Sequence, residues 1–169
     1  MARTVSRWVR FIIGDSAEPP TLREIPINSV NGVGLDYPEE DVSAFQDAVK
    51  GVLSGQPDCS ITVTGPFDTS AAVASAASGL APTLSGSHTI LSTVAGTNHT
   101  LPLGVMIGMR AYWTAATMPA FVLNRTATAG FICTAYDVHP DDGTYSATFR
   151  VYPGSPAPAW GTALPTSGA

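Results

Sequence analysis

The sequence predicts a mostly-β fold with one packed α-helix, because Pro and Gly divide it into short segments, several segments alternate apolar and polar residues, and one segment has helical spacing. Fourteen prolines and 16 glycines divide the 169 residues into short segments with β-branched and aromatic runs between them, which is typical of mainly-β domains. Apolar residues make up 44% of the chain, enough for a buried core. The length suits one domain, residues 1–152, followed by an extended Pro-, Gly- and Ala-rich arm, residues 153–169, which Trp160 is expected to anchor.

The clearest predicted element is a β-hairpin in the last third of the chain. Apolar and polar side chains alternate over residues 145–152, so one face of this strand is expected to be buried. Residues 131–138 form its expected partner. The segment 139–143 between them contains Pro, Asp and Gly, the residues that favour a tight turn.

Further strands are predicted where apolar residues recur at every second position. They lie at residues 60–64 and 103–109. Residues 120–123 are predicted to form a further short strand. Near the N-terminus, residues 22–27 and 30–35 are expected to pair across the turn Asn28-Ser29, with Pro26 confined to a sheet edge or a bulge.

One helix is predicted over residues 44–54. Ser43 and Gln46 have the spacing of a capping box, and Gly55 is placed to end the helix. Four apolar residues fall on one helical face: Phe45, Val49, Val52 and Leu53. We expect this face to cover one side of the sheets. For residues 71–79 two interpretations stay open, a second alanine-rich helix and a flexible connector.

The charge content is unusual in amount and in distribution. Charged residues make up 12% of the chain, about half the usual share. Such a surface favours burial against other copies of the chain, although a surface solvated by Ser, Thr and Asn is the alternative. Residues 1–10 contain Arg3, Arg7 and Arg10 and no acid, whereas the rest carries 13 acids against five bases. An acidic body is not suited to hold nucleic acid tightly.

No motif for catalysis, metal binding or cofactor binding is found, so we expect no enzyme. Cys59 and Cys133 fit no metal spacing and are interpreted as two buried thiols rather than a disulfide. His139 beside Asp141 and Asp142 could serve as a base, but the chemistry of a tight turn accounts better for these aspartates. The sequence shows neither a signal peptide nor an apolar run of the ~18 residues that a membrane helix needs. We therefore expect a protein made in a reducing cytoplasm, with no membrane partner.

The densest charge feature is an acidic cluster, and its meaning is open. It comprises Asp36, Glu39, Glu40, Asp41 and Asp47. The cluster lacks the residue order of a calcium loop. Its carboxylates could stabilise the positive N-terminal end of the predicted helix, or the cluster could be a solvated loop. A third interpretation is that it repels DNA phosphates, so that DNA moves past without binding.

The order of these features resembles the tail tube (major tail) proteins of long-tailed bacteriophages. Three consecutive motifs carry the resemblance: VSAFQDAVK at residues 42–50, LSGQPD at 53–58 and SITVTGPFD at 60–68. The C-terminal part is similar too, with strands like 130–137 and 143–151 and a terminal Trp160-Gly161. Gln46 stands where the family often has Gly, and residues 69–79 are unusually rich in alanine.

The resemblance implies a β-sandwich or barrel-like tail-tube fold with one packed helix and extended terminal arms. It also implies hexameric rings that stack into a tube, the conduit for DNA delivery into the host. In such rings, strands of neighbouring subunits close into one barrel and remove exposed sheet edges. The implied partners are other copies of the chain and the tape measure, tail terminator and baseplate proteins. DNA would pass without specific binding, and the implied location is the virion tail, assembled in the bacterial cytoplasm.

The residues expected to contact neighbouring subunits lie in the arms and in the acidic loop. They are Arg3, Arg7, Trp8, Arg10, Asp36, Glu39, Glu40, Asp41 and Trp160. Replacing Glu39, Glu40 and Asp41 by Ala is expected to impair tube growth while the subunit stays folded.

Other classes of protein fit parts of the sequence. A capsid decoration protein or a tail terminator would also be small, mostly β and self-associating. A carbohydrate-binding β-sandwich would use Tyr112 and Trp113 to stack on a sugar ring.

Overall fold

The structure is a computed structural model that describes residues 9–76, 81–108 and 119–166. These ranges contain eleven strands and one helix, α1 (Ser87–Val94). The strands are β1 (Val9–Gly14), β2 (Leu22–Glu24), β3 (Ser29–Asn31), β4 (Glu39–Asp41), β5 (Val52–Ser54), β6 (Ser60–Pro66), β7 (Leu103–Ile107), β8 (Ala120–Leu123), β9 (Phe131–His139), β10 (Thr144–Val151) and β11 (Ala159–Gly161).

Two antiparallel sheets share one apolar core. One has five strands in the order β11-β8-β7-β1-β2, and the other has four in the order β3-β6-β10-β9. Side chains from both sheets belong to the same buried cluster. Phe11 of β1 contacts Phe149 of β10, with ring centroids 5.4 Å apart. The predicted fold class, mainly β with one helix, is confirmed.

The predicted C-terminal hairpin is confirmed. β9 and β10 pair from Thr144 opposite His139 to Val151 opposite Phe131. The N–H groups of Asp142 and Gly143 both donate to the carbonyl of His139, at 3.2 and 3.0 Å. Gly143 has φ +66°, a backbone angle that glycine adopts without strain. The strand predicted at 120–123 is also present, and the one predicted at 60–64 continues to Pro66.

The expected pairing of residues 22–27 with 30–35 is wrong. β2 pairs with β1, and β3 pairs with β6 in the other sheet. The turn after β1 explains the difference, because Asp15 accepts hydrogen bonds from the N–H groups of Ala17 and Thr21 and returns the chain beside β1. Pro26 lies outside β2, in the segment that crosses to the second sheet.

The helix predicted over residues 44–54 is also wrong. β4 and β5 form a separate two-stranded sheet, and residues 42–51 form the loop between them. The Ser43 hydroxyl bonds across the loop to Gly51, accepting from its N–H at 2.5 Å and donating to its carbonyl at 3.1 Å. The proposed cap therefore closes a loop, and the apolar stripe packs against no sheet.

The helix found among the described residues is α1, and it was not predicted from the sequence. Ile90, Leu91 and Val94 enter the common core from this helix. The His88 ring joins the helix to β9, with Nδ1 2.9 Å from the Tyr136 hydroxyl oxygen. Of the weaker predicted helix, residues 71–76 are not helical and 77–79 lie outside the described residues.

The described part of the C-terminal segment crosses the five-stranded sheet. Trp160 of β11 pairs with Phe121 of β8, and their ring centroids are 5.3 Å apart. Further on, the carbonyl of Thr166 accepts a bond from the N–H of Arg125. Leu164 packs on a small apolar cluster formed by Ile12, Met106 and Ala120, which lies outside the main core.

Candidate assembly surfaces

The most exposed apolar surface is the β4–β5 hairpin, residues 39–54, which we call the exposed hairpin. Every residue of β4 and β5 is exposed, and the two strands pair only with each other among the described elements. Phe45 is fully exposed, Val49 is 80% exposed and Leu53 is 63% exposed. These side chains are candidates for a contact surface, because large exposed apolar patches often mark such surfaces.

The exposed hairpin is also acidic. Glu39, Glu40, Asp41 and Asp47 oppose a single cation, Lys50, which gives residues 39–54 a formal charge of −3. Lys50 lies 3.3 Å from Asp41. The hydrogen bond from the Ser43 N–H lowers the pKa of Asp41. Three of the predicted acidic contact residues, Glu39, Glu40 and Asp41, therefore lie on the same element as the exposed apolar ones.

A shallow apolar groove lies at the base of the exposed hairpin. It is lined by Leu35, Tyr37, Phe121, Pro158, Ala159 and Trp160. Tyr37 and Trp160 are each more than half exposed. Asp36, another predicted contact residue, pairs with Asp58 at this base through two backbone hydrogen bonds. Predicted contact residues from distant parts of the sequence thus meet around one surface region.

The outer face of the four-stranded sheet is rich in hydroxyl groups. Thr62 and Thr148 face each other with their hydroxyl oxygens 3.4 Å apart, and Ser29 bonds to Thr64 in the same way. Along the four strands the ionic side chains are Asp137 and Arg150, and Arg150 is paired with Asp58 at 2.8 Å. This face is polar but nearly uncharged. This face was not among the predicted contact surfaces, although the alternating Thr and Ser of β6 and β10 are a sequence signal for it.

The four-stranded sheet ends in two outer strands, β3 and the second half of β9. Neither has a further neighbouring strand among the described residues. The first half of β9 is covered, because the N–H of Gly96 donates to the carbonyl of Cys133. Unpaired edges of this kind are templates for pairing with another chain.

Arg10 lies inside the subunit. It is 2% exposed, and its Nη2 is 2.8 Å from Oε2 of Glu24, itself 2% exposed. Burial raises the pKa of Glu24, and the hydrogen bond and charge of Arg10 oppose that rise. Arg10 therefore offers almost no surface to a neighbour. Arg3, Arg7 and Trp8 lie outside the described residues, as do Tyr112 and Trp113.

Two of the described histidines, His88 and His139, take part in packing and turn contacts. His88 contacts the Phe67 ring, with centroids 4.8 Å apart, as well as Tyr136. His139 is the last residue of β9 before the hairpin turn, and its Nε2 lies 3.3 Å from the Ser146 hydroxyl oxygen. Among the described residues no group of three or more His, Cys, Asp and Glu could hold a metal ion. No helix in the described ranges is long and apolar enough to cross a membrane.

The fold is similar to that of solved tube-terminating structures. The chain matches the anti-feeding prophage cap, a tube-terminating cap, with a TM-score of 0.56, 10% identity and coverage of 96% of this chain and 94% of that chain. It matches the sheath/tube terminator of PVC, an extracellular contractile injection system, in the extended state. There the TM-score is 0.50, the identity 12% and the coverage 90% and 93%.

A third match is the sheath–tube complex of the same injection system, with a TM-score of 0.48 and 12% identity over 90% and 88% of the chains. No family model and no curated protein matches the sequence. At such low identities the likeness concerns the fold: nearly the whole chain follows the path of subunits from tube-terminating assemblies.

Proposed function

We propose that the chain is a structural subunit that self-assembles into the rings of a phage tail tube or a related injection tube, and that it has no catalytic role. The observation that carries this proposal is the exposed hairpin. A two-stranded hairpin with no packed face is marginally stable in water. Burying Phe45, Val49 and Leu53 against another subunit would contribute about 1.5–3 kcal/mol per fully buried side chain.

The open strands of the four-stranded sheet suit closure into a ring. β3 pairs with residues 62–64 of β6, which pair with 146–148 of β10, which pair in turn with 135–137 of β9. The open part of β9 therefore lies in the same row of the sheet as β3. In our proposal β3 of one subunit pairs with residues 135–137 of the next, and the row continues around the ring.

The hydroxyl-rich face would then line the lumen of the ring. A wall with few Lys or Arg side chains binds DNA phosphates weakly. Ser and Thr hydroxyls keep such a wall hydrated without adding fixed charge. The proposed partners along the tube are further copies and tape measure, terminator and baseplate proteins, in a tail assembled in the bacterial cytoplasm.

A second candidate is a terminator, a single ring that closes the end of a tube. The likeness to the two tube-terminating structures favours it. The candidates differ in what the exposed hairpin contacts. In a tube the exposed hairpin would contact another copy of this chain. In a terminator it would contact a different protein, the tube subunit.

Negative-stain electron microscopy of the concentrated purified chain tests the proposal and separates the two candidates. Long hollow tubes are expected for a tube subunit, and single closed rings for a terminator. Monomers at every concentration, without rings or tubes, would contradict both.

A further inference from the structure

The exposed hairpin has a single cation, Lys50, for its four carboxylates, and Lys50 is paired with Asp41. Among the described residues neither Glu39 nor Glu40 forms an ion pair. Glu39, Glu40 and Asp41 are consecutive residues of the short strand β4, so three acidic side chains lie on one strand. Because Lys50 pairs with Asp41, the carboxylates of Glu39 and Glu40 are the two that a cationic partner would neutralise.

The described cations are already engaged. Each described Lys or Arg forms an ion pair with an acid: Arg10 with Glu24, Arg23 with Asp15, Lys50 with Asp41, Arg125 with Glu18 and Arg150 with Asp58. The chain has eight Lys and Arg residues in all. The three others are Arg3, Arg7 and Arg110, so a cation from this chain for Glu39 and Glu40 would come from one of these.

The segment 1–8 matches the exposed hairpin in charge and in apolar content. It carries Arg3 and Arg7 with no acid, and Val5 and Trp8 accompany the two arginines. On the hairpin, Glu40 lies opposite Leu53 and Asp41 opposite Val52, so each of these acids has an exposed aliphatic neighbour. Residues 109–118, by contrast, hold a single arginine.

We propose that residues 1–8 of one subunit dock on the exposed hairpin of a second copy, with Arg3 and Arg7 on Glu39 and Glu40. This contact rests on the proposed self-assembly and names the partner of its main surface. Eight residues span at most about 28 Å, which is the greatest reach of this segment from Val9. The contact is heterologous, so each copy both gives an arm and receives one.

Charge reversal in the full-length chain tests the contact. An arm variant, Arg3→Glu/Arg7→Glu, and a hairpin variant, Glu39→Lys/Glu40→Lys, are compared by sedimentation and electron microscopy. Asp41 is left unchanged because it pairs with Lys50 and accepts from Ser43. Each variant alone is expected to need at least about a tenfold higher concentration than the wild type to assemble. Two controls, Asp141→Lys/Asp142→Lys in the β9–β10 turn and Arg110→Glu, are expected to assemble like the wild type.

An equimolar mixture of the two variants decides whether the contact joins different copies. In the mixture the acidic arm of the arm variant can contact the basic hairpin of the hairpin variant. The basic arm of the hairpin variant can likewise contact the acidic hairpin of the arm variant. Restored assembly of the mixture is the expected result.

Four results would overturn the contact. The first is normal assembly of both single variants. The second is loss of assembly in Arg110→Glu, which would assign the partner cation to that residue. The third is a mixture that fails while a chain carrying all four substitutions assembles, which would place the arm on its own hairpin. The fourth is a mixture and a four-substitution chain that both fail. A wild-type chain that stays monomeric would instead refute the proposed function itself.

Discussion

Arg10 and Glu24 form a buried ion pair between the neighbouring strands β1 and β2. Arg10 Nε lies 2.9 Å from Glu24 Oε1, and Arg10 Nη2 lies 2.8 Å from Glu24 Oε2. The same Nη2 donates to the carbonyl of Ala76 at 3.2 Å. The pair therefore ties the segment near residue 76 to the outer side of the five-stranded sheet.

Glu24→Leu is expected to destabilise the subunit by about 3–5 kcal/mol, because it removes the carboxylate from a buried guanidinium. The double variant Arg10→Met/Glu24→Leu is expected to recover most of that loss, since both charges are gone. Urea unfolding measures both effects. A single variant within about 1 kcal/mol of the wild type would contradict this role for the pair. The double variant should also assemble, because Arg10 is used inside the subunit.

Gly65→Ala is expected to lower the free energy of unfolding by about 1–3 kcal/mol. A Cβ at this position would lie 2.4 Å from the Pro26 carbonyl oxygen and 2.9 Å from the Ile27 Cα. The chain passes here between the sheets, so the backbone has to move. Gly51→Ala is the matched control, because no atom lies within 4 Å of its Cβ position. Equal melting temperatures for the two variants would be inconsistent with this close packing.

The two cysteines are expected to react slowly in the folded protein. Both are free thiols, Cys59 is 5% exposed and Cys133 is 2% exposed, and burial raises the pKa of each to about 11. At pH 8, iodoacetamide should modify the urea-unfolded chain much faster than the native one. Equal rates in the two states would show that the thiols are accessible.

The same thiols predict an alkaline loss of stability. Below their ordinary pKa of 9 the thiols stay protonated in both states, so stability is unchanged. Between pH 9 and 11 the unfolded chain loses these protons first, which favours unfolding by up to about 2–3 kcal/mol per thiol. The variant Cys59→Ala/Cys133→Ala should lose this part of the decline. Its remaining decline would report Tyr136 and Tyr145, whose pKa values burial also raises.

Phe45→Ser/Val49→Ser is expected to leave the subunit folded and to prevent assembly. Both side chains are exposed, so the melting temperature should stay close to that of the wild type. Assembly loses the burial of two apolar side chains at every contact, and sedimentation should show smaller species. Leu84→Ser removes another exposed apolar side chain, away from the exposed hairpin, and should assemble normally. Intact assembly of the double variant would mean that subunits do not meet through these residues.

The sequence predicted the parts of the fold that depend on local patterns. The β9–β10 hairpin combines alternating side chains with a Pro-Asp-Asp-Gly turn, and both signals act over a few residues. The partners of β2 and β3 could not be predicted, because the choice depends on contacts distant in sequence. Neither strand is longer than three residues, so its pattern specifies no register.

The wrong prediction of a helix over residues 44–54 has a physical cause. Apolar residues at helical spacing indicate a common face, but they do not say what that face packs against. Phe45 and Val49 lie on an exposed hairpin instead of the core, so an exposed apolar surface can produce the same sequence pattern as a core helix. The helix α1 gave a weaker signal, because Thr89, Ile90 and Thr93 are β-branched and Gly86 provides no side-chain cap.

The most direct test of self-assembly is the mass of the wild-type chain measured by sedimentation as its concentration is raised. We predict a shift from the 17.5 kDa subunit to ring-sized and larger particles. A single 17.5 kDa species at every concentration would contradict the account.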